Sequence, residues 1–192
     1  MNNYSNLSEL FKRISILNYV VIRNYENIND EINKGGDIDF LCINRDEFSD
    51  LIGAEKIVEA EDRYNYRISI SNRIIPIDIR EVGDDYFDSK WEEDIILTRK
   101  KYDDFYVMDD ENYRYTLLYH VLIHKKSISE KYHIFIEDKF GCNVNKFDCL
   151  IDELCIFLRR KGYKLVKPND VCVDFNMSNY LTLVNSMEAT DV

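Results

Sequence analysis

The stretch Lys34-Gly35-Gly36-Asp37-Ile38-Asp39-Phe40-Leu41 decides the fold of this chain, because a glycine pair leads directly into an apolar run. Asp37 and Asp39 are two residues apart, and alternate side chains of a β-strand point to the same face. The pattern therefore predicts a buried strand that carries two carboxylates on one face.

A second β-rich run, Ile74-Ile75-Pro76-Ile77-Asp78-Ile79-Arg80, follows about forty residues later. Pairing of the two strands would bring Asp78 beside Asp37 and Asp39. Carboxylate oxygens are the ligands that hard divalent cations prefer, and shared carboxylates hold pairs of such ions. The sequence thus predicts a site for Mg²⁺ or Mn²⁺ suited to phosphoryl or nucleotidyl transfer. The competing interpretation is a solvated acidic turn with an unrelated Asp78.

The remaining pattern predicts short helices between β-rich segments, followed by a helical second half. Pro76 is expected at an edge or irregular position of its strand. In the first half we predict a helix over Ser5–Leu17, capped by Ser5 or Asn6, and a strand over Tyr19–Arg23. A polar loop over Asn24–Gly36 follows. Next come a helix over Arg45–Ile52 and two or three strands between Lys56 and Val82. The second half is predicted as helices over Phe87–Thr98, Glu111–Lys125, Ser129–Lys139 and Phe147–Lys161, with a strand near Phe105–Val107 and a tail from Ser178 that is either a short helix or frayed.

This order of elements predicts an α+β fold in which a mixed sheet is flanked by helices and followed by a C-terminal helical part. We expect residues 1–108 to form the α/β core that carries the site. Residues 109–192 are expected to form a helical part packed on that core, in a single compact unit.

Composition restricts the function classes. The 36 acidic and 25 basic residues give a formal net charge of −11, which disfavours binding to bulk nucleic acid and to anionic lipid. No stretch approaches the roughly 20 apolar residues of a membrane span, and the first residues do not resemble a signal peptide. The five cysteines include no Cys-x-x-Cys pair and are predicted to be reduced. We therefore expect a cytoplasmic protein.

Further polar residues are candidates for substrate binding. His120 and His124 are four apart on a predicted helix and share a face, with Lys125 adjacent. They either contact a substrate phosphate or belong to a plain helix with half-buried histidines. Asp84 and Tyr86 follow the Asp78 strand closely, where they either bind the acceptor or, for the aspartate, cap the next helix.

Residues 18–126 resemble the nucleotidyltransferase superfamily, to which DNA polymerase β belongs. The likeness rests on a buried strand, a polar loop, Gly36-Asp37-Ile38-Asp39 and a later aspartate in a β-run. More narrowly, Val21-Ile22-Arg23-Asn24-Tyr25-Glu26 and Asp78-Ile79-Arg80, with Gly83-Asp84, Tyr86-Phe87-Asp88 and Trp91, are similar to small bacterial and viral nucleotidyltransferase-like proteins associated with surface glycan biosynthesis.

The resemblance implies a Mg²⁺-dependent transferase that moves a nucleotidyl group from a nucleoside triphosphate to a small sugar or phosphorylated acceptor. Asp37 and Asp39 would bind the metals that hold the nucleotide, and Asp78 would bind the catalytic metal and help to deprotonate the acceptor hydroxyl. The candidate nucleotide contacts are Arg23, Asn24, Gly35, Gly36 and Arg80. Arg80, two residues after Asp78, is also expected as its counter-charge.

The chain departs from the family at one place. The family usually has a Gly-Ser pair that holds the triphosphate, whereas Arg23-Asn24 occupies the comparable position here. Three alternatives therefore stay open. They are a phosphotransferase that uses a CDP-linked donor, a toxin-like enzyme that nucleotidylates RNA or protein, and a non-catalytic module that binds a nucleotide or a partner.

Overall fold

The computed structural model describes residues 2–57, 65–141, 147–168 and 175–188. The fold is α+β, as predicted. It comprises two compact units, the first formed by Met1–Asp84 and Trp91–Asp109 and the second by Asp85–Lys90 and Asp110–Val192. No helix in the described residues is long and apolar enough to cross a membrane.

The first unit is built on a mixed sheet. Its described strands are β1 (Asn3–Tyr4), β2 (Tyr19–Val21), β3 (Ile38–Cys42), β4 (Glu55–Lys56), β5 (Asn65–Ile70), β6 (Arg73–Glu81), β7 (Lys100–Tyr102) and β8 (Phe105–Val107). They lie in the order β1-β5-β6-β3-β2-β8-β7, and β4 pairs with β5. Three pairs, β1 with β5, β3 with β6 and β2 with β8, are parallel. Residues 58–64 of the predicted β-rich segment lie outside the described residues.

Helices cover this sheet, and an aromatic cluster fixes one of them. They are α1 (Leu7–Ile14), α2 (Ile28–Asn33), α3 (Arg45–Ile52) and α4 (Ser89–Leu97), most of which belongs to this unit. The fully buried rings of Tyr19, Phe40 and Phe48 join β2, β3 and α3, with centroids 5.0–6.0 Å apart. Truncation of one such ring to alanine typically costs about 3–5 kcal/mol.

Most of the predicted elements are confirmed. Asn6 caps α1, since its side chain accepts a hydrogen bond from the Glu9 N–H, and α3 has the predicted bounds. Pro76 lies within β6 just before the pairing with β3 begins at Ile77, so only one edge of the strand is paired there. The strand β7, which pairs with β8, was not predicted.

The predicted polar loop over Asn24–Gly36 is wrong. A 3₁₀ turn (Tyr25–Asn27) leads into α2, whose Ile28 and Ile32 lie one helical turn apart and are both buried. Because the surrounding residues are polar, two isoleucines were too weak a pattern to indicate a helix. α2 ends at a reversal through Gly35, which has a φ of 85°.

The second unit is helical within the described residues, with α5 (Asp110–Ile123), α6 (Glu130–Phe140), α7 (Phe147–Lys161) and α8 (Met177–Glu188). The rings of Tyr115 and Phe157 stack between α5 and α7 at a centroid distance of 3.8 Å. The Asn179 side chain of α8 donates to the Leu122 carbonyl, 2.9 Å away. The tail is thus a helix, the first of the two predicted alternatives.

The cysteine prediction is only partly confirmed. Cys42 and Cys155 are free and buried, whereas Cys149 is disulfide-bonded, so the prediction of a reduced thiol is wrong there. Cys142 and Cys172 lie outside the described residues. A disulfide is more typical of an oxidising compartment, and the cytoplasmic location stays a prediction.

Gly36 is the residue at which a side chain would disturb the entry to β3. A Cβ added there would lie 2.9 Å from the Glu31 carbonyl oxygen, which already accepts the Gly36 N–H. We expect Gly36→Ala to lower the free energy of unfolding in urea by roughly 1–3 kcal/mol, because a backbone atom must move. The matched control is Gly35→Asn. A Cβ at Gly35 meets nothing within 4 Å, and asparagine tolerates a positive φ, so equal losses in both variants would contradict this account.

Candidate functional site

The candidate site is a row of polar side chains across the middle of the sheet. Asp39 of β3 lies directly opposite Asp78 of β6 in the parallel pair, and Asn65 of β5 lies opposite Asp78 on the other side. Residues opposite each other in register point to the same face of a sheet. The predicted approach of Asp78 to Asp39 is therefore confirmed. We call Asn65, Asp78 and Asp39 the acidic row.

The three predicted carboxylates, Asp37, Asp39 and Asp78, differ in how deeply they are buried. Asp39 is only 3% exposed, Asp78 is half-buried, and Asp37 is exposed one residue before β3 begins. Asp37 thus lies at the entrance to the strand rather than within it. A carboxylate as deeply buried as Asp39 requires a counter-charge or a proton, because the loss of water disfavours the ionised form.

Two arginines supply counter-charges. Arg23 donates from Nη2 to Asp39 Oδ1 at 2.8 Å. Arg80 donates from Nε and Nη2 to Asp78 Oδ2 at 3.2 and 3.0 Å, as predicted for a residue on the same face of β6. A backbone hydrogen bond from the Ile22 N–H to the Asp39 carbonyl holds the Arg23 segment beside β3.

The pKa of Asp39 shows that the carboxylates repel one another. The pKa of Asp39 is raised to about 6, and burial is the largest cause. The positive charge of Arg23 lowers this pKa, whereas the negative charges of Asp37 and Asp78 raise it. The three carboxylates singled out by sequence are therefore close enough to interact electrostatically. Within the acidic row, the formal charges of Asp39 and Asp78 are offset by those of Arg23 and Arg80.

The donor atoms suit a hard divalent cation, but their arrangement does not form a metal site. Across the described ranges, no three histidine, cysteine, aspartate or glutamate side chains are placed to hold a metal ion. Guanidinium groups occupy the carboxylate oxygens of Asp39 and Asp78 instead. A metal ion at the acidic row would have to take the place of Arg23 and Arg80 as the counter-charge.

The other nucleotide-contact candidates lie in turns next to these residues in sequence. Asn24 has a φ of 58° and begins the 3₁₀ turn, and Gly35 and Gly36 form the passage from α2 to β3. Asp84 closes the turn after β6, where its Oδ2 accepts the Glu81 N–H at 3.2 Å. Its side chain thus has a structural partner in the first unit.

Two polar residues of the first unit were not anticipated. Asn65 could have been found from the register of the β5–β6 hairpin. Glu92 of α4 is fully buried and accepts the Gly83 N–H at 2.7 Å through Oε2. In sequence, Glu92 is the first of three consecutive acidic residues after Trp91, and nothing in that run marks it as the buried one.

The remaining substrate-binding candidates belong to the second unit and form a cluster of their own. The Tyr86 hydroxyl lies 3.3 Å from Nδ1 of His120, and its ring centroid lies 4.3 Å from that of His124. Both histidines are more than 95% buried, deeper than the half-buried positions predicted for a plain helix. Lys125 is half-buried after the end of α5.

The raised pKa of Asp39 predicts how stability depends on pH. The folded state holds its proton up to about pH 6, whereas the unfolded chain releases it near pH 4, so ionisation destabilises the fold as pH rises between these values. We expect Asp39→Asn to match the wild type near pH 4 and to exceed it by roughly 3 kcal/mol at pH 7 in urea unfolding.

The control for this prediction is Asp50→Asn, which removes an exposed carboxylate from α3. This variant should follow the wild-type pH profile. A constant difference between Asp39→Asn and the wild type from pH 4 to pH 7 would show that Asp39 is ionised throughout, and would contradict the electrostatic account of the acidic row.

Comparison with known proteins finds no relative of this chain. The chain matches no protein-family model, no curated protein and no solved structure. Any function therefore has to be argued from the acidic row, its two arginines and the motif in which they occur.

Proposed function

We propose that this chain is a Mg²⁺-dependent nucleotidyltransferase that acts on a small sugar or phosphorylated acceptor in glycan biosynthesis. The observation that supports the proposal is the register pairing of Asp39 with Asp78 on parallel strands, with Asp37 close enough to contribute to the pKa of Asp39. Two carboxylates paired across the sheet, with a third at the entrance to β3, suit chemistry in which positioning and charge neutralisation lower the barrier.

In the proposed reaction, an acceptor hydroxyl oxygen forms a bond to the α-phosphorus of a nucleoside triphosphate, and the bond to the departing pyrophosphate breaks. Asp37, Asp39 and Asp78 would hold Mg²⁺ if it took the place of the two guanidiniums, and it would supply charge neutralisation at the phosphates. The carboxylate of Asp78 accepts the proton that the hydroxyl loses. Arg23, whose planar guanidinium suits bidentate contact with phosphate, takes the place of the absent Gly-Ser pair.

A non-catalytic binding module is the second candidate, and a specific observation favours it. Asp39 and Asp78 are each paired with an arginine, and no metal-binding group is found in the part of the chain that the structure describes. Such a module would hold a nucleotide or a basic partner without turnover.

A thermal-shift panel separates the two candidates. The purified chain is heated with ATP, CTP, GTP, UTP and CDP-linked donors, each with and without MgCl₂. A ligand at 100 times its Kd stabilises the fold by about 2.7 kcal/mol, which corresponds to a rise in Tm of roughly 5–10 °C for a chain of this size. We expect such a rise for one donor class, and only with Mg²⁺.

The test variant is Asp37→Asn/Asp39→Asn, which should lose the ligand-induced rise. Its control, Asp46→Asn/Asp50→Asn, removes the same charge from exposed positions on α3 and should keep the rise. Because Asp39→Asn changes stability by itself, each variant is compared with its own ligand-free Tm. A rise that does not need Mg²⁺ and survives in the test variant would favour the binding module.

A further inference from the structure

The first unit contains a cavity of about 350 Å³ that is separate from the acidic row. It lies between α1, the 3₁₀ turn with the start of α2, and the β7–β8 hairpin. None of the described residues that line it belongs to the acidic row. Its volume is at the lower end of the roughly 300–1,000 Å³ that small-molecule sites occupy.

Aromatic rings form one wall of this cavity. Phe11 stacks on Phe105 with a centroid distance of 4.3 Å, and Tyr102 contacts both Phe105, at 5.5 Å, and Tyr25, at 5.1 Å. Phe11, Tyr25 and Phe105 are buried, and Tyr102 is half-buried. The rings therefore hold one another in place, and the wall exists before a ligand arrives.

The rest of the lining is acidic. Glu26, Asp30, Asp103 and Asp104 carry exposed carboxylates at the cavity, and its described lining includes no lysine or arginine. The Ser8 hydroxyl donates to Asp104 Oδ2 at 2.6 Å, which orients that carboxylate on the β7–β8 turn. The described lining therefore carries four negative formal charges and no positive one.

We propose that this cavity binds a small organic cation through an ammonium or guanidinium group. Aromatic faces attract cations, and the exposed carboxylates add charge complementarity at the same place. The same charges would repel a nucleotide or a sugar phosphate. The cavity is therefore a site for a cationic ligand, distinct from the proposed nucleotide site, and its existence does not depend on the transferase proposal.

Two-dimensional ¹H–¹⁵N spectra of the full chain test the proposal. Tetramethylammonium and methylguanidinium chloride are titrated separately at constant ionic strength, with tert-butyl alcohol as an uncharged probe of similar shape to the first. We expect saturable shift changes at residues 7–11, 25–30 and 102–105 with at least one cation, and binding at least tenfold weaker for the alcohol.

Glu26→Gln/Asp30→Asn should weaken cation binding about tenfold, because both substitutions remove charge without changing the shape of the cavity. Asp50→Asn/Glu93→Gln, which neutralises two exposed carboxylates elsewhere on the first unit, should leave the affinity within twofold. Tyr102→Leu tests the aromatic wall and should also weaken binding about tenfold, provided that its spectrum remains that of the folded chain.

Four results would overturn the proposal, the first three of which concern the small probes. These three are shift changes that do not saturate, equal binding of the alcohol and the cations, and equal losses in the two charge-neutralising variants. Binding of an arginine-containing peptide without binding of either small cation would likewise overturn it, since the ligand would then be a partner protein rather than a small molecule.

Discussion

The parallel pairing of β3 with β6 is the constraint on which the rest of the first unit depends. It places Asp39 opposite Asp78, and the apolar residues that alternate with them, such as Phe40 and Ile79, fall on the opposite face. A shift of the register by one residue would exchange the two faces and bury the carboxylates in the aromatic cluster around Phe40. The hydrophobic core and the acidic row therefore determine each other's position.

This arrangement has a cost in stability. Asp39 is buried beside two other carboxylates, and its ionised form is opposed both by burial and by their charge. Arg23 and Arg80 offset part of that cost, because removal of water strengthens the attraction within each pair as well as the repulsion between the acids. Replacement of a buried ion pair by well-packed apolar residues is often neutral or stabilising, so stability alone does not account for the charges at these positions.

Local signals explain which parts of this architecture could be predicted from sequence. The start of α3 was predictable because Asn44 is a side-chain cap, whereas α2 was missed because only Ile28 and Ile32 mark its buried face. The β5–β6 hairpin turns through Ser71-Asn72, both with positive φ, and this turn sets the register that places Asn65 beside Asp78. Counting outward from that turn would have found Asn65. The ion pair between Arg23 and Asp39 depends instead on the pairing of β2 with β3, which no local pattern encodes.

The counter-charges also determine how a donor would bind under the proposed function. A bare triphosphate entering a chain of net charge −11 would have to draw Arg23 from Asp39 and leave a buried carboxylate without its counter-charge. Under the same proposal, Mg²⁺ arriving with the triphosphate would be held by Asp37, Asp39 and Asp78, and it would supply the positive charge that Arg23 no longer gives to Asp39. Each carboxylate would then still face a positive charge after Arg23 has moved from Asp39 to the phosphates. Donor and metal should accordingly bind cooperatively, each raising the affinity for the other by the same factor. Until both ligands are bound, the ion pairs with Arg23 and Arg80 would thus keep Asp39 and Asp78 ionised within the folded sheet.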